Sequence, residues 1–296
     1  MTRHTKIIGT GSALPERRVS NQELADEMAR KGIETSDEWI TTRTGIRYRH
    51  YAEAHQHASD LALIACQRAI RVSGVSKDEI DLIVLATSTP DHVGGFPSTA
   101  AVLQHKLEMA NTCAAFDVQA VCSGFVYALT VADALMKTCG YRNALVVGAE
   151  VYSRIIDFDD RATCVLFGDG AGAVVLGVSD KPGMHGSCLH ADGGLANILA
   201  DAILSVLEQN RMSADEIDWL VLHQANIRIL HAVAKQISLP IDKLITTVDR
   251  HANTSAASIP LALDAGIREG KIKPGHKVML AAVGGGLTWG ATLLGM

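Results

Sequence analysis

The stretch "VSKDEIDLIVLAT" (75–87) returns later in the chain as "MSADEIDWLVLHQ" (212–224). In both copies an acidic segment leads into a short apolar run that is typical of a buried strand. A second pair follows in the same order, "FGDGAGAVVLG" (167–177) and "VGGGLTWGATLLG" (283–295). Related stretches in a fixed order predict a duplicated α/β unit. The alternative is chance likeness between generic strand–helix units.

Apolar runs and helical patterns alternate along the rest of the chain. The predicted strands cover 5–11, 81–87, 143–150, 171–177, 218–223 and 277–286, and the predicted helices cover 58–74, 123–140 and 257–272. Strands that alternate with helices indicate an α/β fold with a largely parallel sheet. Runs without polar alternation indicate strands that are covered on both faces.

Composition narrows the class of function. The 296 residues are 48% hydrophobic and only 4% aromatic, and the net charge is −5, which gives no reason to expect nucleic-acid binding. The six cysteines fit no zinc template, and no apolar run approaches the length of a membrane span. The first residues show no signal peptide. We therefore expect a soluble, cytoplasmic protein with free thiols, no metal and no membrane contact.

Cys122 stands out among the cysteines, because it follows an apolar strand-like run and opens a predicted helix. A helix N-terminus carries partial positive charge, which stabilises a thiolate and lowers the thiol pKa. The small neighbours Ser123 and Gly124 would leave the sulfur accessible. This position predicts a nucleophile, whereas an inert buried thiol is the ordinary alternative.

Two polar residues occupy comparable junctions in the second half of the chain. His223 ends the apolar run of 218–223, and Asn253 lies in a loop before a predicted helix. Ligands bind at the carboxyl ends of parallel strands, so a Cys–His–Asn set at such junctions is a candidate catalytic centre. Taken singly, the His can be structural and the Asn a helix cap. The glycine-rich stretches lack the spacing of phosphate-binding loops.

The whole set resembles the β-ketoacyl-[acyl carrier protein] synthase III family of thiolase-fold condensing enzymes. The matching stretches are "IIGTGSALPE" (7–16), "TSDEWITTRTGIRYRH" (35–50), "FDVQAVCSGFVYAL" (116–129), "FGDGAGAVVL" (167–176), "WLVLHQANIRI" (219–229), "DRHANTSAASIPLAL" (249–263) and "VGGGLTWGATLL" (283–294). The resemblance implies two α/β halves, 1–180 with the cysteine and 181–296 with the His and Asn, in a five-layered αβαβα core.

The resemblance also implies a mechanism without a cofactor. Cys122 would take an acyl group, usually acetyl, from coenzyme A, with the N–H groups of Cys122 and Gly285 as the oxyanion hole. Malonyl-acyl carrier protein would then lose CO₂, and Nε2 of His223 and the amide of Asn253 would stabilise the enolate. The product would start fatty acid synthesis. A related enzyme of secondary metabolism, a cysteine thioesterase and a non-catalytic scaffold remain alternatives.

Further roles are implied for residues outside this centre. The resemblance assigns coenzyme A binding to Trp39, Arg43, Arg161 and Asn226, and the acyl pocket of a partner subunit in a homodimer to Phe96. Arg228 and Lys235 are seven residues apart, on one face of a helix, where they could meet the acidic carrier protein or form an ordinary solvated basic face. One departure from the family lies near 194–195, where the family has a further segment. Either residues are missing from the sequence there, or the segment has truly been deleted.

Overall fold

The computed structural model describes residues 3–192 and 198–296. The departure predicted near 194–195 lies outside the described residues. Within them, no helix has the length and apolar character needed to cross a bilayer.

The described residues form eleven strands and ten α-helices. The strands are β1 His4–Ala13, β2 Arg17–Ser20, β3 Tyr48–Tyr51, β4 Leu82–Ala86, β5 Ala114–Val118, β6 Asn143–Glu150, β7 Gly170–Ser179, β8 Met184–Ala191, β9 Trp219–Leu222, β10 Lys277–Gly284 and β11 Thr288–Gly295. The helices are α1 Asn21–Ala29, α2 Asp37–Thr44, α3 Ala58–Ser73, α4 Thr99–Lys106, α5 Gly124–Cys139, α6 Arg161–Cys164, α7 Ile198–Gln209, α8 Ile227–Gln236, α9 Val248–His251 and α10 Ser258–Arg268.

Two sheets repeat one strand arrangement. The first has the order β1-β7-β6-β4-β5, and the second has the order β8-β11-β10-β9. In each sheet, the first and second strands of this order pair antiparallel, and so do the second and third. The third and fourth strands pair parallel. Strands β4 and β9, which contain the two copies of the opening repeat, occupy equivalent places. The matching order and direction agree with the predicted duplication, while the boundary at 180 and 181 stays a prediction.

Helices cover both faces of each sheet. Helices α5 and α10 lie between the sheets in one apolar cluster with residues of β4, β6, β9 and β10. Helix α3 covers the outer face of the first sheet, and α7 and α8 cover the outer face of the second. The five layers of the predicted αβαβα core are therefore confirmed. The cluster between the sheets explains the paucity of aromatic residues, because small aliphatic side chains let the layers approach closely.

Glycine permits the closest of these approaches. An added Cβ at Gly148 on β6 would lie 2.3 Å from the carbonyl oxygen of Ala256, which belongs to the second half of the chain. We expect Gly148→Ala to lower the free energy of unfolding by about 1–3 kcal/mol, because the backbone at Ala256 must move to admit the methyl group. Chemical denaturation measures this loss. Gly285→Ala is the control, because an added Cβ there meets no atom within 4 Å.

Candidate active site

Cys122 lies in a strained turn between β5 and α5. The turn is a single 3-10 turn, Val121–Ser123, and α5 begins at Gly124. Val121 has a φ of 47°, which is unfavourable for a β-branched residue. Such strain persists only where the surrounding structure imposes it, and it concentrates at functional sites. The strand, the strained turn and the helix present the half-buried thiol of Cys122 at the carboxyl edge of the sheet.

Residues of the second half hold the Cys122 turn in place. The hydroxyl oxygens of Ser123 and Thr288 are 2.8 Å apart, and Thr288 Oγ1 donates to the carbonyl of Ala120 at 3.0 Å. A Cβ at Gly284 would lie 3.0 Å from the backbone nitrogen of Cys122. Gly284, the last residue of β10, therefore lies close to the Cys122 backbone. An added Cβ at Gly285, the next residue, would meet no atom within 4 Å.

His223 follows the last residue of β9 and is 4% exposed. Its backbone N–H donates to the carbonyl of Ala281 on β10 at 2.9 Å, which extends the parallel pairing to the His itself. Burial lowers the pKa of the imidazole to about 4, and the backbone of Ser255 opposes this shift in part. The ring is therefore neutral at physiological pH. Its Nδ1 is buried without a hydrogen-bond partner among the described residues.

The backbone of Asn253 is hydrogen-bonded to the first half of the chain. Its N–H donates to the carbonyl of Leu166 at 2.9 Å, and its own carbonyl accepts from Gly168 at 3.0 Å. Its Oδ1 accepts the Ser255 N–H at 2.9 Å, which leaves the amide NH₂ as the end of the side chain available to a ligand. Ala252 and Ser255 have φ values of 58° and 46°, so strain flanks this residue as well.

Ser255 joins the three predicted residues. Its hydroxyl lowers the pKa of the Cys122 thiol, its backbone raises the pKa of His223, and its N–H donates to Asn253. The 3-10 turn Ser255–Ala257 packs against the turn that carries Cys122. The structure therefore brings Cys122, His223 and Asn253 together from loops that are distant in sequence.

The predicted lowering of the Cys122 pKa was wrong. Burial raises the pKa of this thiol to about 11, and the charge of Glu150 adds to the increase. The α5 N-terminus is present as expected, but desolvation of the thiolate outweighs the favourable contacts around it. Burial therefore favours the protonated form of this thiol.

A second polar cluster forms around Trp39 at the start of α2. The guanidinium carbons of Arg43 and Arg161 lie 4.7 and 4.6 Å from the centroid of the Trp39 ring. Arg161 also donates to the carbonyl of Glu34 at 2.6 Å. Three residues that the sequence analysis named for coenzyme A thus meet in one place, although α2 and α6 are far apart in the chain.

Helix α8 contributes to the same cluster. Asn226 caps α8 by accepting the Arg228 N–H at 2.8 Å, and its Nδ2 donates to the carbonyl of Arg43 at 3.0 Å. The Arg228 guanidinium donates to the carbonyl of Thr42 at 2.8 Å and borders a surface cavity with Trp39. Arg228 therefore lies beside the proposed coenzyme A residues. Lys235 is exposed further along α8, without that contact.

Phe96 lies apart from this arrangement on the loop between β4 and α4. Its side chain is 78% exposed, and the neighbouring Val93 is fully exposed. Contacts within its own chain therefore leave most of the Phe96 side chain uncovered. Its predicted place in a partner's acyl pocket stays a prediction.

The sequence analysis missed Glu150 and Ser255. Glu150 ends β6, is fully buried, and accepts a hydrogen bond from Thr89 Oγ1 at 2.6 Å. A carboxylate directly after the apolar run "NALVVGA" (143–149) is a signal that could have singled it out, because unpaired buried carboxylates are rare. Ser255 had no such signal, since it is one of several small residues in "NTSAAS" (253–258).

Comparisons with known proteins agree with this geometry. Family models described as 3-oxoacyl-[acyl-carrier-protein] synthase III and its C-terminal part match residues 116–193 and 207–296. The synthase III structure from Aquifex aeolicus VF5 is 41% identical, with a TM-score of 0.91 over 99% of this chain and 100% of that one. The enzyme from Pseudomonas aeruginosa PAO1 is 37% identical, with the same TM-score over 99% and 98%.

A structure from a polyketide pathway is similar as well. The priming β-ketosynthase of the R1128 polyketide pathway is 31% identical, with a TM-score of 0.91 over 99% of this chain and 96% of that one. The family models and the structures therefore agree on one assignment. The chain belongs to the 3-oxoacyl-[acyl-carrier-protein] synthase III family, whose members are thiolase-fold condensing acyltransferases.

Proposed function

We propose that the protein joins an acyl-CoA, acetyl-CoA first among them, to malonyl-acyl carrier protein through an acyl-Cys122 intermediate. The family uses these two classes of substrate. The observation that carries the proposal is the meeting of the Cys122 thiol, the His223 imidazole and the Asn253 amide around Ser255. A nucleophile beside two neutral hydrogen-bond donors suits acyl transfer followed by a decarboxylating condensation.

In the first half-reaction the Cys122 sulfur attacks the thioester carbon. A covalent acyl-enzyme divides the condensation into two easier steps. The negative charge that forms on the carbonyl oxygen needs donors fixed in advance. The backbone N–H groups of Cys122 and Gly285 are the proposed donors, because Gly284, which directly precedes Gly285, lies close to the Cys122 backbone. Collapse of the adduct releases coenzyme A.

In the second half-reaction malonyl thioester loses CO₂ and becomes an enolate. Its negative charge develops on the thioester oxygen, where His223 and Asn253 would each donate one hydrogen bond. A neutral imidazole is suited to this role, and burial keeps His223 neutral. The enolate carbon then attacks the acyl group on Cys122, which forms the new carbon–carbon bond and frees the thiol.

Coenzyme A is proposed to bind at the Trp39 cluster. The adenine would stack on the Trp39 ring beside Arg43 and Arg161, whose guanidinium groups already lie over it. Asn226 would support the cluster by tying α8 to α2. The exposed Arg228 and Lys235 are proposed to face the acidic carrier protein, because positive side chains on one helix attract an acidic partner.

Replacing the stacking ring tests the coenzyme A site. We expect Trp39→Ala to raise the KM for acetyl-CoA about tenfold with little change in kcat, since stacking of a base on an aromatic ring is worth about 1–3 kcal/mol. Steady-state kinetics measure this effect. A substrate that lacks adenine, acetyl-pantetheine, is the control and should react equally with both proteins. An equal loss with both substrates would contradict the assignment.

Intact-protein mass spectrometry tests the proposed function itself. Incubation with acetyl-CoA should add one acetyl group, and subsequent malonyl-acyl carrier protein should remove it with formation of β-ketoacyl-carrier protein. Acetyl label that decays to acetate without a new carbon–carbon bond would instead indicate a thioesterase. Failure to load an acyl group from any donor would contradict the proposal.

The likeness to the polyketide priming ketosynthase favours one second candidate. In this alternative the same chemistry acts on a longer or branched acyl group. Loading from such acyl-CoAs but not from acetyl-CoA would distinguish it.

The homodimer is proposed with either substrate, because Phe96 and Val93 leave an apolar loop uncovered on the single chain. Comparing the sedimentation of Phe96→Ser with that of the unaltered protein tests whether this loop is a contact between the subunits.

A further inference from the structure

Gln224 is a buried amide two residues past the end of β9, and its side chain is 1% exposed. Its Nε2 donates to the carbonyl of Leu222 at 2.8 Å and to the carbonyl of Ile245 at 3.2 Å. Its Oε1 accepts from the N–H of Thr247 at 2.8 Å and from the N–H of Val248 at 3.1 Å. All four hydrogen-bonding positions of the amide are therefore occupied by backbone groups.

These four contacts join the two loops that carry the proposed enolate donors. The Leu222 carbonyl belongs to the peptide bond that leads into His223. The contacts of Oε1 lie at the start of α9, and this helix ends two residues before Asn253. Thr247 gives α9 no side-chain cap, so the Gln224 oxygen, which comes from a different loop, takes that place.

Other backbone hydrogen bonds anchor the two donors separately. The His223 N–H donates to the carbonyl of Ala281 in the second sheet, whereas the Asn253 N–H donates to the carbonyl of Leu166 in the first half of the chain. Each donor is therefore placed relative to a different part of the protein. Gln224 ties their two loops to each other, which makes their spacing less dependent on the packing of the halves.

The His223 imidazole depends on this support more than the Asn253 amide does. The orientation of a His ring is usually set by the hydrogen bond that its second nitrogen makes. Nδ1 of His223 is buried and has no such partner among the described residues, whereas Oδ1 of Asn253 accepts the Ser255 N–H at 2.9 Å. The backbone must therefore place the imidazole, and Gln224 holds the peptide bond that precedes it.

We propose that Gln224 is a positioning residue that sets the spacing of His223 and Asn253 for the decarboxylation step. The inference rests on the proposed function, which makes these two side chains the enolate donors. Both must come within about 3 Å of the same enolate oxygen, so a small displacement of either loop weakens the stabilisation. Gln224 acts only through them, because its own hydrogen-bonding positions are all taken. Acyl loading is independent of Gln224, since that step uses backbone donors near Cys122.

Gln224→Met is the first test, because Met has a similar volume and makes none of the four hydrogen bonds. We expect the release of CO₂ from malonyl-acyl carrier protein on a preloaded acyl-enzyme to fall about 10²-fold, as a displacement of about 1 Å can cause. Acyl loading from acetyl-CoA should stay close to that of the unaltered protein. An equal loss in both half-reactions would indicate general damage to the fold and would overturn the proposal, as would unchanged decarboxylation.

Gln104→Met is the matched control. Gln104 lies on α4 in the first half, where its Nε2 donates to the carbonyl of Cys113 at 3.4 Å, and its replacement should change neither half-reaction. The same selective loss in this control would also overturn the proposal. If Gln224→Met does not fold, Gln224→Glu replaces it. This variant keeps the shape of the side chain and an oxygen for the two N–H groups, and it should likewise lose decarboxylation and keep loading.

A combined variant separates positioning from a direct role. Gln224→Met is added to a protein that already carries His223→Ala and Asn253→Ala. A residue that acts only through those two side chains should cause little further loss of the residual decarboxylation, because effects within one coupled unit are not additive. A further loss as large as in the unaltered background would overturn the proposal.

Hydrogen–deuterium exchange tests these contacts without any substrate. In Gln224→Met the segment 245–253 should exchange several-fold faster, because the N–H groups of Thr247 and Val248 lose their acceptor. The segment 143–150 on β6 should exchange as in the unaltered protein. Unchanged exchange of 245–253 would overturn the proposal. If the unaltered protein releases no CO₂ from the malonyl thioester, the proposed function fails, while the exchange still decides whether Gln224 holds the two loops.

Discussion

Cys122→Ala is expected to lose acyl loading from acetyl-CoA by at least about 10⁴-fold, because no other group in the site can form the thioester. Cys122 is the half-buried cysteine in the strained turn, and its backbone lies close to Gly284 of the second half. Rapid quenching followed by intact-protein mass spectrometry measures the loading rate.

The matched control is Cys139→Ala. Cys139 is an exposed free thiol at the other end of the same helix, α5, and should have no part in loading. Loading that persists in Cys122→Ala and disappears in Cys139→Ala would show that the nucleophile had been misassigned. Slow decarboxylation of malonyl thioester should survive in Cys122→Ala, because His223 and Asn253 remain in place.

His223→Ala and Asn253→Ala are each expected to slow decarboxylation of malonyl-acyl carrier protein by about 10²–10³-fold, as loss of one oxyanion donor typically does. Both side chains are almost fully buried, so solvent cannot replace the lost donor efficiently. Acyl loading should remain close to that of the unaltered protein, since the acyl oxyanion is assigned to backbone N–H groups. Release of CO₂ from a preloaded acyl-enzyme measures the effect.

His231→Ala is the control for His223→Ala. His231 is exposed on α8, away from Ser255, and its loss should not change either half-reaction. Equal damage to loading and decarboxylation in His223→Ala would contradict the division of labour between the backbone and the two side chains. Asn253→Asp would extend the test, because a carboxylate at that position repels the developing enolate.

Local patterns were sufficient to predict most of the strands and helices that carry the site. Strand β6 has the predicted bounds, 143–150, and the helices at 58–73 and 124–139 each end one residue before the predicted end. A glycine follows each of these helices in the left-handed conformation, as its position after the last turn predicts. The later helix at 258–268 is shorter than predicted, because Glu269 caps it and the chain leaves the helical conformation at Gly270, whose φ is 70°. The two-stranded sheet of β2 and β3 was missed, because its four-residue strands show no apolar pattern.

The duplicated stretches and the order of Cys122, His223 and Asn253 along the chain thus determined the fold class and the place of the candidate site. They did so because periodicity, turns and strand ends are set by neighbours in sequence. Tertiary structure decided the rest. Only the approach of the two halves packs the turn of Ser255 against the turn of Cys122 and places Arg228 against α2. Burial in that interface also reverses the expected shift of the Cys122 pKa, because desolvation depends on every layer that covers the thiol.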